Sequence, residues 1–474
     1  MLRKTMTAFV ALGLLMAACG DDEPNAGPDS TSAAETTGPA ETTAAPDSTS
    51  AETTAAAVDE GVTLDEAGRL VPVECTGADN VANEDEGFTA DGVNLAALNV
   101  DLAPVAQLGF AASDRDLSYI SSVFLDEVND AGGVCGRTID LQQVLYNPII
   151  ADAGPACVQV TQDRANLAAF SANYVDPLCI TDAGVPLLVG ADITEAEVVE
   201  ADGLLFSRYP SLEMQYRATV QHALESGALE GVVGVWYGDS QTKLGDAAEE
   251  VVLPMLDEAG VDYTAARTDF MGSFDPQGNA VMIAAATGFA SRNIDTLLAV
   301  TSNVNLVDIQ LELAAQGVHP RFISVPIAKN AANELFADAY GTQEVADGME
   351  YVTFTTGSTE LDDTNPIAKS CHEVWTRRTG EVVEPNTFDY QIIATLCVTV
   401  DEVVAALSLA GAELSREAFA RALELLPGHE SPPFFGEMDW SPEHRFGPPE
   451  FSVQDYDGAT NTVSTRSDHF EVAG

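Results

Sequence analysis

Lysine is almost missing from this chain. Four occur in 474 residues (Lys4, Lys243, Lys329 and Lys369), and 20 Lys+Arg face 75 Asp+Glu, for a formal charge of −55. Affinity for a polyanion comes from cations that displace its counterions, so this balance excludes a nucleic-acid binder. Also missing are a Cys-x-x-Cys pair, histidines at zinc spacing, a His-Glu-x-x-His pair, a phosphate loop ending in Gly-Lys-Ser/Thr and a Gly-x-Ser-x-Gly elbow; neither a metal nor a cofactor is expected. No stretch reaches the ~18 consecutive apolar residues that a membrane span needs. What is present is an apolar fraction of 46%. That is enough for a substantial core, and the length favours two domains over one.

The amino end is an address followed by a tether. Arg3 and Lys4 precede a short apolar run, residues 8–15, and then Met16-Ala17-Ala18-Cys19. This resembles a bacterial lipoprotein signal, with Met16 where the pattern prefers Leu. The resemblance implies cleavage before Cys19, a diacylglycerol on its sulfur, and a mature protein held at the outer face of a membrane by more than one acyl chain. Residues 20–60 are Thr, Ser, Ala, Pro and acids, with ten of the 75 acidic residues, no aromatic, and no Lys or Arg. Such a segment cannot bury enough apolar surface to offset its ordering entropy and is expected to stay disordered.

Six further cysteines, at 75, 135, 157, 179, 371 and 397, form an even number in an exported chain, which points to disulfides. Pairing sequence neighbours gives Cys75–Cys135, Cys157–Cys179 and Cys371–Cys397. The last two positions fall on apolar helical faces and equally suit buried thiols.

From residue 91 onward, short apolar runs alternate with stretches of helical period, the pattern of a mostly parallel sheet covered on both faces. Strands are expected at 93–100, 138–145, 167–170, 186–189, 203–207, 231–236, 262–267, 296–301, 322–325 and 350–354. Helices are expected at 116–131, 214–226, 246–259, 279–291, 306–316 and 388–409, and the tail adds strands at 434–440 and 451–456. So many β/α units suit two doubly wound lobes better than one barrel.

Several segments, in order, resemble the type I periplasmic binding proteins. Residues 102–109 match their first ligand loop in position; residues 124–140, with the turn Ala131-Gly132-Gly133-Val134-Cys135-Gly136, look like their first helix and second strand; and residues 232–245, 313–318 and 434–457 match later landmarks. The resemblance is strongest to the branch serving branched-chain amino acids, amides and related solutes. It implies an α/β fold of two Rossmann-like lobes joined by three crossovers, near Arg208–Tyr209–Pro210, near Val325–Pro326 and near residues 433–436. The domains would be a signal at 1–18, a lipidated tether and extension at 19–90, lobe I at 91–209 plus 327–432, lobe II at 210–326 plus 433–465, and a tail at 466–474.

The same resemblance implies ligand contacts from Gln107 in the first loop, Ser171, Asn173 and Tyr174 in the second, then Asp192, Tyr209, Tyr237, Ser302, Asn303, Phe388 and Asp389. The position where the family's amino-acid binders hold the ammonium falls on Asn305. A buried ammonium therefore needs Asp192 or Asp389, and neutral solutes stay open. The implied partners are a small-molecule solute, an ABC permease and the membrane, with the chain a monomer. Two other classes were weighed. Gly238-Asp239-Ser240 resembles the nucleophile block of the Gly-Asp-Ser-Leu esterases, but no histidine has an Asp three residues before it, so no enzyme is expected. The same fold also serves extracellular sensors partnered with signalling proteins.

Overall fold

A strand covered on both faces needs apolar side chains in both directions, and segments such as Leu-Leu-Ala-Val at 297–300 provide them. In the computed structural model, which describes residues 61–75, 79–103, 113, 115–146, 153–172, 176–272, 275–326, 341–357, 360–466 and 468–472, these segments build two separate sheets.

The first sheet has five parallel strands, β1 (Gly92–Val100), β2 (Thr138–Tyr146), β3 (Ala168–Ser171), β4 (Leu187–Val189) and β5 (Leu205–Ser207), in the order β2-β1-β3-β4-β5. The second contains β6 (Val233–Gly238), β7 (Tyr263–Arg267), β8 (Thr296–Thr301), β9 (Arg321–Ser324), β10 (Glu350–Thr353), β11 (Glu450–Asp457) and β12 (Thr462–Thr465), in the order β12-β11-β10-β9-β8-β6-β7. Strands β6 to β10 are parallel, whereas β11 and β12 return antiparallel, and Phe470–Glu471 pairs with β11. All ten strands expected between 93 and 354 are present within two residues of their expected limits.

Each sheet carries its own core. Helices Leu117–Asp130, Pro366–Thr379, Phe388–Ala410 and Arg416–Leu423 cover the first; Leu212–Glu225, Pro276–Arg292 and Asn303–Ala315 cover the second. Phe388–Ala410 is long and apolar enough to cross a bilayer, but it is the central helix of the first lobe and is mostly buried there. Along it runs an amino-terminal strap: Leu70 is buried, Arg69 clamps Asp401 with two hydrogen bonds of 2.8 Å, and the Val73 amide donates to Ser408 Oγ. The folded body thus starts well before residue 91. The disulfides are Cys75–Cys135, Cys157–Cys179 and Cys371–Cys397, so the buried-thiol alternative for the last pair falls away. Cys19 and the tether lie outside the described residues.

The passages between sheets correct two of the expected boundaries. The first passage, between Ser207 and Val233, begins at Arg208–Pro210. The second cannot lie at Val325–Pro326, because Glu350 pairs with Ile323 and keeps residues 350–353 in the second sheet; it follows Thr353. The third cannot lie at 433–436, because Met438, Trp440 and Phe446 are still buried in the first core; it follows Phe446. Nor is 434–440 a strand of the second sheet: Glu437–Met438 pairs with His429–Glu430, Phe434 makes a single antiparallel bridge to Thr355, and the Trp440 indole donates to the Ser207 carbonyl at 3.0 Å.

At the foot of the second sheet Glu350 is buried among His222, Arg321 and Arg466. Burial alone would raise its pKa, but the hydrogen bonds from His222 and Arg321 and the charges of Arg321 and Arg466 outweigh it and hold the carboxyl at about 2. A folded-state pKa below the unfolded one gives stability that is present at neutral pH and lost as pH falls from about 4.5 to about 2. The group is worth at most about 3 kcal/mol. Asp239 and Asp401, raised by burial, act with the opposite sign. Glu350→Gln is expected to flatten the acid limb of stability against pH in urea titrations; an unchanged limb would show that other carboxylates carry it.

Candidate functional site

Parallel strands put all their carboxyl ends on one edge, and a doubly wound sheet opens a crevice where successive connections leave in opposite directions. In the first sheet that point lies between β1 and β3, in the second between β6 and β8. A buried asparagine braces each. Asn99, at the end of β1, accepts from the Ala172 amide (2.9 Å) after β3 and donates to Ser118 Oγ (3.2 Å). Asn305, in the first turn of Asn303–Ala315, donates to the Phe270 carbonyl (3.0 Å), Asp239 Oδ2 (3.3 Å) and the Gly238 carbonyl (3.4 Å). Asn305 therefore ties lobe II loops together. A polar residue in the last positions of an apolar strand, as at Asn99, is the sequence signal for such a brace.

On the first lobe, Ser171 is buried at the end of β3, and Asp192 stands half-buried in the turn after β4, where Gln215 Nε2 donates to it at 3.1 Å. Tyr209 packs beside Gly190: a Cβ on that glycine would approach the tyrosine ring to 3.4 Å and the Ala172 carbonyl to 2.9 Å. Burial, then the charge of Asp192, push the Tyr209 phenol upward, so it stays a neutral donor at physiological pH. These three residues share one end of the lobe.

Phe388 and Asp389 open the long helix, which is capped by the Thr387 hydroxyl on the Tyr390 amide, not by Asp389. Asp389 Oδ2 accepts from Arg115 Nε at 2.6 Å, and Arg115 also grips Glu381 at 2.5 Å. The Asp389 charge is thus engaged by a guanidinium, which weakens it as an ammonium counter-charge. Gln107, Asn173 and Tyr174 lie outside the described residues.

On the second lobe, Ser302 and Asn303 start a helix whose expected N-cap makes no capping bond. The Ser302 hydroxyl is buried against Asp239 without the alignment of a full hydrogen bond. Asp239 itself is 1% exposed, takes a 2.6 Å hydrogen bond from Ser240 Oγ, and is raised in pKa chiefly by burial. Tyr237, near the end of β6, donates its hydroxyl to Glu249 at 3.1 Å, with burial first and Glu249 second pushing its pKa up to about 12.

In the Gly-Asp-Ser segment Ser240 Oγ donates to its own neighbour Asp239 at 2.6 Å, while His222, His372, His429 and His469 are engaged with Glu350, the Tyr390 carbonyl, Glu402 and Glu450. Among the described residues no group of three or more His, Cys, Asp or Glu side chains could hold a metal ion.

Two doubly wound lobes, three passages between them and polar loops at the carboxyl edges define the type I periplasmic-binding fold. No family model and no curated protein matches the sequence. Solved structures do match. A fatty acid ABC transporter substrate-binding protein from Thermomonospora curvata superposes with a TM-score of 0.60 at 15% identity, covering 82% of this chain and 95% of that one. A leucine-binding protein from Thermotoga maritima gives 0.59 at 14% identity, covering 80% and 99%. A branched-chain amino acid ABC transporter protein from Thermus thermophilus with bound valine gives 0.60 at 13% identity, covering 81% and 98%. At such identities the likeness is one of fold.

Proposed function

We propose that this protein binds a small organic solute between its lobes and delivers it to an ABC permease, as a monomer tethered through a lipidated Cys19 to the outer face of the membrane. The observation that carries this reading is the gathering of Ser171, Asp192 and Tyr209 on one carboxyl edge and of Ser302 and Asn303 on the other, with the lobes joined by three passages. The matched structures, described as substrate-binding proteins for fatty acids, leucine or branched-chain amino acids, support a carrier over an enzyme. With Asp389 held by Arg115 and Asn305 uncharged, Asp192 is the carboxylate best placed for an ammonium, and neutral amides or carboxylic acids fit the hydroxyl and amide donors.

A thermal-shift screen over amino acids, amides and short- and long-chain carboxylic acids tests the reading, since a ligand at 100 times its Kd adds about 2.7 kcal/mol of stability. At least one class is expected to raise Tm, and silence across all of them would remove the carrier reading. For the solute found, Ser171→Ala and Asp192→Asn should each weaken binding about tenfold in calorimetry, the loss of one hydrogen bond of ~1.4 kcal/mol. Tyr237→Phe should leave the affinity unchanged, because its hydroxyl serves Glu249.

A further inference from the structure

Cations are scarce here, so where they are spent carries information. Lys243, in helix Thr242–Ala247 of the second lobe, extends its ammonium to Glu197 of the first lobe, with Nζ 3.0 Å from Oε1 and 3.3 Å from Oε2. Glu197 lies in helix Glu195–Glu200 and is fixed there by a reciprocal capping box with Thr194. Both helices begin just beyond cleft turns, Lys243 four residues after Asp239 and Glu197 five after Asp192, so each moves with its own lobe.

The pair belongs to a seam running outward from the first passage. Ser211 Oγ and Arg217 reach Glu195, the Glu195 amide donates to Glu213, and Gln215 donates to Asp192. The first lobe offers Asp192, Glu195 and Glu197; the second answers with Gln215, Arg217 and Lys243. Exposure separates the members. Arg217 and Glu195 are 31% and 48% exposed, the regime in which an ion pair is worth little. Lys243 and Glu197 are 19% and 15% exposed and less screened by salt.

We propose that Lys243 and Glu197 form an electrostatic clasp that holds the lobes at their present approach without solute and so sets the fraction of molecules ready to bind. The apparent affinity of a site scales with the fraction of competent molecules, so the clasp tunes affinity from outside the solute's own contacts. This rests on the carrier reading for its consequence, but not for its geometry.

The test is made on the mature chain without solute, by pulsed electron-spin distance measurement between labels introduced as non-natural amino acids at Val158 on the first lobe and Ile283 on the second, both exposed. Lys243→Gln and Glu197→Gln, the latter keeping a capping side chain, should each lengthen and broaden the distance distribution. An unchanged distribution in either single variant overturns the clasp. Because no solute enters this measurement, its failure is separate from failure of the solute screen. Where a solute has been found, the single variants should bind it about two- to fivefold more weakly.

Discussion

Replacing Arg208 by methionine is expected to cost about 3–5 kcal/mol of stability, the usual result of leaving one half of a buried ion pair behind. Arg208 opens the first passage and is 2% exposed. Its Nη1 donates to the Thr395 carbonyl at 3.2 Å and to the Thr399 hydroxyl, its Nη2 donates to Ser431 Oγ, and its Nε faces Glu402 Oε2 at 3.3 Å, close enough for an ion pair though not aligned as a hydrogen bond. Glu402 is fully buried in the long apolar helix and also meets His429 Nε2 at 3.1 Å and Ser431 Oγ at 3.3 Å. Burial lowers the Arg208 pKa, and the nearby Glu402 charge offsets only part of that. Methionine would fill the space of the stem but leave the buried Glu402 with His429 and Ser431 as its side-chain partners. Urea denaturation should show the loss in the midpoint with little change in slope. The double variant Arg208→Met with Glu402→Leu should recover most of it, since a buried pair replaced by apolar groups of similar volume is often neutral. A single variant within 1 kcal/mol of the wild type would mean the network contributes nothing to the fold.

The position of this network explains what sequence pattern reaches and what it does not. Strand and helix periods report local burial, and every strand from 93 to 354 was found that way. Pairing is a different quantity. Residues 434–440 alternate like a strand, yet Trp440 sinks into the first core and Phe434 joins Tyr209, Phe354 and Phe451 in an aromatic cluster at the passages, with ring centroids 4.8–6.4 Å apart. No local pattern distinguishes those partners. The candidate site divides in the same way. Ser171, Asp192, Ser302 and Asn303 lie at strand ends because a strand end is a local feature. The diversion of Tyr237 to Glu249, of Asn305 to the carbonyls of 238 and 270, and of Asp389 to Arg115 depends on neighbours 12 to 274 residues away in sequence.

Gly447→Ala, a change of one methyl group, is expected to cost about 3 kcal/mol, at the upper end of what overpacking usually produces. The third passage lies directly against the first: the Ser207 amide donates to the Arg445 carbonyl (2.8 Å) and the Gly447 amide to the Tyr209 carbonyl (2.9 Å). A Cβ at 447 would stand 2.1 Å from the Arg208 carbonyl oxygen and 2.6 Å from its carbon. Those are main-chain atoms with no rotamer to give, so two passages must separate, and the Arg208 network and the aromatic cluster are pulled with them. Gly288 is the control. It lies exposed in helix Pro276–Arg292 with nothing within 4 Å of a built Cβ, and alanine there should stabilise by up to about 1 kcal/mol through helix propensity. Thermal and urea unfolding of the two variants should therefore move in opposite directions. A Gly447→Ala protein as stable as the wild type would mean that the passages are not packed main chain to main chain. The Val158–Ile283 distance adds a second readout: a hinge forced open at 447 should displace the lobes even with Lys243 and Glu197 intact, because the clasp can hold only lobes that the passages already bring together.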